Sequence, residues 1–410
     1  MQTIGYFDPS PGASGTTRYL LELLSGLDRS RYRPVVFAQE PAPWHADAVA
    51  LGATMVYGQE NPATPAPGGG AAPPATTPSA RRRSGAVASL RRTVSWSRAL
   101  RRETAELAAL FAKAPVDLLH SNVAGDEVAP IAAQQAGVPR VVATLHIDPT
   151  YDIFHERTGW LHRRLERKSF RALDLAIAVS ARTEAEWRLR LGTTDQATPR
   201  FVVVPNGVRL DRLHRRAQIN DAKAALGINA GEFVMGTLGR LDWAKGYGDL
   251  IEALPRVLQA VPNALVVHAG TGPLAADLAA QAEQLGVASR VRWLGFRSEV
   301  RDLLEACDLY VQPSWCEAHT LSVLEAGALG LPVVASDVGG HAETLDDGAA
   351  GWVVPARNPG ALAAALIDAR RDPVVAAARG AALGERVTQR YTHRHMVEAT
   401  VALYDEITAG

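Results

Sequence analysis

Short runs of consecutive apolar residues alternate along this chain with longer stretches in which apolar positions recur every three or four residues. The runs fall at 3–7, 34–38, 117–120, 140–145, 175–179 and 200–204, and again at 233–238, 264–269, 291–294, 309–312 and 332–335. Apolar runs without polar alternation predict strands buried on both faces, as in a parallel sheet. The stretches between them predict helices. Residues 18–27 carry leucines at Leu20, Leu21, Leu23, Leu24 and Leu27, and 248–260, 273–285, 300–306, 321–329 and 359–369 follow the same rule. Strands alternating with helices predict an α/β fold with doubly wound sheets. The rhythm runs twice, so two such domains are expected. The turn-forming Pro205-Asn206-Gly207 marks the boundary. The expected layout is an N-terminal domain over 1–207 and a C-terminal one over 208–390. Residues 223–226 form a short entry helix, and 391–410 a terminal helix packing back on the first domain.

One segment departs from the rhythm. Residues 59–80 are rich in Pro, Ala, Gly and Thr, a composition that cannot bury a core. A basic stretch follows, with Arg81, Arg82, Arg83, Arg91, Arg92, Arg98, Arg101 and Arg102. The insertion 59–102 is expected to be mobile. Its arginines are either a solvated helix face beside a mobile loop or a peripheral contact with an anionic membrane. A second basic run holds Arg157, Arg163, Arg164, Arg167, Lys168 and Arg171.

Composition narrows the field. The 410 residues are 47% hydrophobic with zero formal net charge, so nothing draws the whole chain to nucleic acid. Two cysteines, Cys307 and Cys316, make no disulfide framework. No secretory leader and no apolar run long enough to span a bilayer is read, so a cytoplasmic setting is expected. Gly-x-Gly-x-x-Gly does not follow the first strand and no Gly-Lys-Ser/Thr occurs, which disfavours a dehydrogenase and a P-loop ATPase.

The chemistry concentrates in the second series. Gly239-Arg240-Leu241-Asp242-Trp243-Ala244-Lys245-Gly246 follows an apolar strand, where ligands of doubly wound sheets bind. Arg240 and Lys245 there could neutralise a diphosphate, although loop cations are more often plain surface charges. Glu317 lies in a later strand–helix loop and Glu325 in the helix after it. The residues between them include Ala318, His319, Thr320 and Leu321, and the helix start near Thr320 offers backbone N–H groups to phosphate. Two glutamates at this spacing also arise by chance. His120 and His146 end strands of the first series, a place where a lone histidine is more often structural. His155, His162, His393 and His395 read as surface histidines.

These runs together resemble glycosyltransferase family 4, whose enzymes share the GT-B fold. The segment 239–246 resembles that family's diphosphate loop, and Ala269-Gly270-Thr271-Gly272-Pro273 its glycine turn. Val291-Arg292-Trp293-Leu294-Gly295-Phe296 and Ala306-Cys307-Asp308-Leu309-Tyr310-Val311-Gln312-Pro313-Ser314 resemble the runs into the base site and the paired glutamates. Gly339, Gly340 and Glu343, then 347–351, complete the resemblance. In the first half, Gly12-Ala13-Ser14-Gly15, Thr144-Leu145-His146 and Val204-Pro205-Asn206-Gly207-Val208 are similar to family positions.

The resemblance implies two Rossmann-like domains facing across a cleft and retaining transfer of a hexose from a nucleoside diphosphate sugar to an acceptor hydroxyl. The acceptor would be a glycan, a lipid or a small natural product, and uridine diphosphate is the nucleotide favoured. It implies His146 and Glu317 at the reacting centre, and Arg240, Lys245 and Gly15 at the diphosphate. Glu325 would hold the ribose and Arg297 lie near the base. Asn206, Gly239, Ala318, His319, Thr320 and Leu321 would complete the donor site. The family commonly has Glu-Gly-Phe-Gly where this chain has Glu317-Ala318-His319-Thr320, so the donor sugar stays open. With no Asp-x-Asp in the chain, no metal and no other cofactor is expected. An epimerase or phosphorylase on the same fold, and a nucleotide-binding protein without turnover, remain alternatives. For a phosphorylase, none of Lys113, Lys168, Lys223 and Lys245 has a convincing pyridoxal setting.

Overall fold

The computed structural model describes residues 1–12, 14–58, 86–122, 128–149, 160–193, 199–213, 218–297 and 300–409, with the backbone alone at 86–97 and 160–161. The chain divides into two compact units. The first comprises Met1–Ala178, Glu184–Val204 and Val397–Gly410, and the second Val179–Thr183 and Pro205–Met396.

The first unit holds strands β1 (Gln2–Phe7), β2 (Tyr32–Ala38), β3 (Thr54–Tyr57), β4 (Leu118–Ser121), β5 (Val141–Leu145), β6 (Leu175–Ala178) and β7 (Arg200–Val203). Helices α1 (Gly15–Ser25), α2 (His45–Ala50), α3 (Ala86–Phe111), α4 (Ala129–Gln135), α5 (Trp160–Phe170) and α6 (Ala181–Leu191) connect them. The sheet is parallel with order β3-β2-β1-β4-β5-β6-β7. One of its faces buries Phe7, Phe37, Leu119 and Ala143 against Leu107, Phe111 and Ala132.

The second unit holds β8 (Phe233–Leu238), β9 (Ala264–Ala269), β10 (Val291–Trp293), β11 (Leu309–Gln312), β12 (Val333–Ser336) and β13 (Trp352–Val354), parallel in the order β10-β9-β8-β11-β12-β13. Its helices are α7 (Ile219–Ala225), α8 (Tyr247–Ala260), α9 (Ala275–Gln284), α10 (Val300–Glu305), α11 (Leu321–Ala328), α12 (His341–Thr344), α13 (Pro359–Arg371) and α14 (Pro373–Arg390). Neighbours along each strand enter opposite cores. Met235, Val266, Leu309 and Val334 pack into one, and Val234, Leu265, Tyr310 and Val333 into the other. Burial on both faces is why these strands read as continuous apolar runs. Each sheet reverses its winding at one point, between β1 and β4 and between β8 and β11.

Helix α15 (His393–Ala409) starts in the second unit and ends in the first. There Tyr404 hydrogen-bonds Nδ1 of His120, Arg31 donates to Asp405 at 2.8 and 2.9 Å, and Gln2 to Thr408 at 2.7 Å.

Residues 86–102 lie in helix α3, where the chain from Ala86 to Phe111 contains neither Pro nor Gly and is rich in Ala, Leu and Arg. The rest of the insertion, at 59–85, lies outside the described residues, as do His155 and Arg157. His162 is buried at 2% exposure, on the same face of α5 as Glu166, and is not a surface residue. Arg163, Arg164, Arg167, Lys168 and Arg171 are exposed.

Candidate active site

The second unit's switch point places two loops side by side, 239–246 after β8 and 313–320 after β11. The amides of Trp315 and Cys316 both donate to the carbonyl of Ala244, at 2.7 and 3.2 Å. Gly246 turns through φ +63°, and a Cβ there would stand 2.1 Å from the Pro313 carbonyl oxygen. Only glycine lets the loops close this tightly. The Trp315 indole N–H donates to Asp249 at 2.7 Å, while Arg357 stacks on its ring.

This closure delivers Lys245 to Glu317. Lys245 Nζ lies 2.6 Å from Glu317 Oε1, the side chains being 23% and 12% exposed. Ser314 Oγ donates to the same Oε1 at 2.8 Å and Gln312 Nε2 at 3.3 Å. Gln312 is itself held, because Tyr310 and Ser322 donate to its Oε1 at 2.7 and 3.2 Å. Three donors thus fix one carboxylate oxygen. Oε2 meets no donor among the described residues, which leaves an oriented acceptor for a ligand hydroxyl.

Burial alone would raise the Glu317 carboxyl, but Lys245, His341 and the Ser314 hydroxyl together hold it below its ordinary 4.5. Burial would lower the Lys245 ammonium, yet Glu317, with Asp242, holds it above its ordinary 10.5. The pair therefore stabilises the fold fully between those two ordinary values. Its contribution is lost as pH falls through the depressed Glu317 value or rises through the elevated Lys245 value. The melting-temperature gap between wild type and Glu317→Gln is expected to be flat from pH 5 to 8, to close in stronger acid, and to narrow in alkali as the Lys245 ammonium, left to the lowering effect of burial, loses its proton in the variant. A gap that narrows between pH 6 and 8 contradicts the assignment.

Arg240 stands beside this pair. Its side chain is 63% exposed and its Nε donates to Asp242 at 3.0 Å, so the terminal nitrogens of the fork stay available. Asp242 also accepts from the amide of Ala244 at 3.1 Å. Gly239 precedes Arg240 with φ +139°. The N-terminus of α11 directly follows the 313–320 loop. Its N-cap residue Thr320 makes no side-chain cap, because that hydroxyl bonds Nε2 of His341 at 2.8 Å. The first-turn amides from Leu321 onward, left without a side-chain cap, suit an anion. Glu325 lies farther along α11, 2% exposed.

His319 is 7% exposed, accepts at Nδ1 from the amide of Asn206 at 3.1 Å, and pairs at Nε2 with Thr344 at 3.1 Å. Asn206 Nδ2 returns a 2.8 Å bond to the His319 carbonyl. Burial, aided by His341, pushes this imidazole down to about 3. His319 and Asn206 thus brace the backbone around Ala318, which is also buried. Arg297 is exposed and follows β10, two strands from β8, or about 10 Å at the usual strand spacing. It is not gathered with Lys245 and Glu317.

In the first unit, Gly15 is exposed at the first turn of α1, which Ser14 caps. His146 follows β5 and pairs through Nε2 with Oδ1 of Asn122 at 3.1 Å. Burial pushes its imidazole down to about 3, so it is neutral at ordinary pH. His120 is wholly buried between Tyr404 and Thr144 and holds the sheet to α15.

The sequence does not mark Gln312, Ser314, Asp242 and Asn122 as site residues. Asn122 acts through neighbours that strand order supplies, and Gln312, Ser314 and Asp242 through loop partners close by in the chain. The polar end of β11 and Asn122, two residues past a strand-end histidine, were the available signals.

Comparison with known proteins places this geometry. The family model "Glycosyltransferase Family 4" matches residues 13–212, and "Glycosyl transferases group 1" matches 218–388. The chain is 30% identical over 307 residues to the GDP-mannose-dependent monoacylated alpha-(1-6)-phosphatidylinositol monomannoside mannosyltransferase of Corynebacterium glutamicum, covering 70% of this chain and 77% of that one. It is 29% identical over 265 residues to the lipopolysaccharide core biosynthesis mannosyltransferase LpsB of Rhizobium meliloti, covering 61% and 69%. Matches to these and further curated glycosyltransferases span from 41% to 77% of those chains. Among solved structures, Anabaena HepE in complex with UDP superposes with a TM-score of 0.76 at 20% identity, covering 99% of this chain and 100% of that one. With both units doubly wound and both halves matched, the chain belongs to glycosyltransferase family 4 and has the α/β architecture of GT-B enzymes.

Proposed function

We propose that this protein is a retaining hexosyltransferase, moving a hexose from a nucleoside diphosphate sugar to a hydroxyl of a glycan, lipid or small natural product without a metal ion. The observation that carries this reading is the loop 239–246. It sets the Lys245 ammonium on Glu317, in the loop that leads into α11, and keeps the fork of Arg240 open, so that the leaving diphosphate's charge would be neutralised there. Glu317 Oε2 would receive a donor-sugar hydroxyl, Glu325 the ribose and Arg297 the base. Gly15 and His146 would serve from the first unit. In the step, the acceptor oxygen bonds the anomeric carbon on the face that the phosphate leaves. The phosphate oxygen takes the electron pair of the breaking bond and then the acceptor's proton.

Uridine diphosphate is the proposed nucleotide, since HepE is described in complex with UDP and with UDP-glucose. Guanosine diphosphate is the second reading, because the Corynebacterium relative is named as GDP-mannose-dependent. Cytoplasmic placement, and contact of the 81–102 arginines with an anionic membrane, belong to the proposal. Among the described residues no helix is long and apolar enough to cross a membrane.

A thermal-shift titration with UDP, GDP, ADP and their hexose conjugates tests this. A ligand at a hundredfold excess over its Kd is expected to add about 2.7 kcal/mol of stability. The shift is expected with UDP and to persist in EDTA, as is transfer. No shift with any diphosphate defeats the donor site, and activity that dies in EDTA and returns with manganese defeats metal independence.

A further inference from the structure

The first unit's switch point holds a chain of three side chains. Asp8 follows β1, Asn122 follows β4 and His146 follows β5. Asp8 is 2% exposed and Asn122 0%. Asn122 Nδ2 donates to Asp8 Oδ2 at 2.8 Å and to the Thr16 carbonyl at 2.8 Å. Asp8 Oδ1 takes the amide of Ser10 at 2.9 Å. Both partners of Nδ2 are acceptors only, so the amide can face just one way. Its Oδ1 therefore points at His146, and an amide oxygen cannot donate. The 3.1 Å contact with Nε2 requires the proton to sit on Nε2. The ring is further held edge-on by Tyr19, with centroids 4.5 Å apart.

We infer that Asp8 and Asn122 are positioning residues that hold His146 as its Nε2–H tautomer and present Nδ1 as a hydrogen-bond acceptor for a substrate hydroxyl. The inference deepens the transferase reading and rests on it for the substrate. With Nε2–H committed, Nδ1 carries a lone pair, and no donor approaches it among the described residues. A neutral ring so fixed can accept from a sugar or acceptor hydroxyl but cannot donate to one. Which nitrogen carries the proton is set by the bond that the other makes. Here the Asp8 carboxylate sets it at one remove, by fixing the amide.

Nitrogen-15 NMR of the histidine side chains in the full chain, with His146 assigned from His146→Gln, reads the tautomer directly. The wild type is expected to show a single Nε2–H species. Asp8→Asn keeps the volume but lets the amides reverse, and Asn122→Ala removes the acceptor. Each is expected to give mixed tautomers, with kcat reduced about 10- to 100-fold as for a misplaced reacting group, and with the nucleotide thermal shift unchanged. A wild-type proton on Nδ1 overturns the inference without any variant. So does a variant that folds by circular dichroism and keeps both tautomer and kcat, or one that changes tautomer without losing turnover. Absence of a nucleotide shift in the wild type would instead defeat the transferase reading and leave the tautomer result standing.

Discussion

Replacing Lys245 by alanine is expected to lower transfer by about 10²- to 10³-fold in kcat, the usual consequence of removing one preorganised charge partner of a leaving group. The argument is positional. Lys245 is three-quarters covered, tied to Glu317, and sits on a loop whose closure against 313–316 leaves it little freedom. A cation placed in advance need not reorganise as charge develops on the phosphate. Arg240 is more exposed and is held only through Nε, so Arg240→Ala is expected to cost about tenfold, nearer a screened surface charge. Lys245→Arg is not a rescue. The wider guanidinium would have to enter a space bounded by Gly239 and Glu317, and lysine and arginine differ in shape as well as hydration. Steady-state kinetics with the donor identified by thermal shift checks the order. If Arg240→Ala hurts more than Lys245→Ala, the roles assigned to the two cations are wrong.

How far the sequence carries the fold depends on burial. Strands β8, β9 and β11 coincide with the apolar runs at 233–238, 264–269 and 309–312, since each is covered on both faces. The edge strands β3 and β13 are half-covered and only four and three residues long, so their apolar residues make runs too short to stand out as strands. Helix α14 was missed for another reason: its Ala- and Gly-rich sequence packs closely without a strong apolar stripe, and a Cβ on Gly380 would stand 2.4 Å from the Gly330 carbonyl oxygen. The site divides in the same way. Arg240, Lys245 and Glu317 stand out because each lies in a loop after a buried strand. The contacts among Asp8, Asn122 and His146 depend on which strands are neighbours, and those among Gln312, Ser314 and Glu317 on how the loop after β11 folds back. His319 stands in the motif by sequence and in the scaffold by structure, since its ring nitrogens are engaged by Asn206 and Thr344.

Glu317→Gln is the second large effect, and it separates folding from chemistry. Glutamine keeps the volume and can still accept from Ser314, so the loop should close. It cannot balance the Lys245 charge. Removing one member of a buried pair commonly costs about 3–5 kcal/mol, and the partial exposure of Lys245 lowers the expectation here to roughly 2–3 kcal/mol. Lys245→Ala strands the opposite charge, but Gln312 and Ser314 still donate to Glu317, so its stability cost is expected to be smaller. The double variant leaves neither charge unpaired and is expected to recover part of the lost stability, with a coupling energy above about 1 kcal/mol. Turnover behaves differently. Each single variant and the double are expected to fall by about 10²-fold or more, because the diphosphate cation and the oriented Oε2 acceptor are separate requirements of the transition state. Denaturant melts of the four proteins, set beside their kcat values, decide the matter. If the double variant recovers turnover along with stability, the pair is a structural ion pair and the site lies elsewhere.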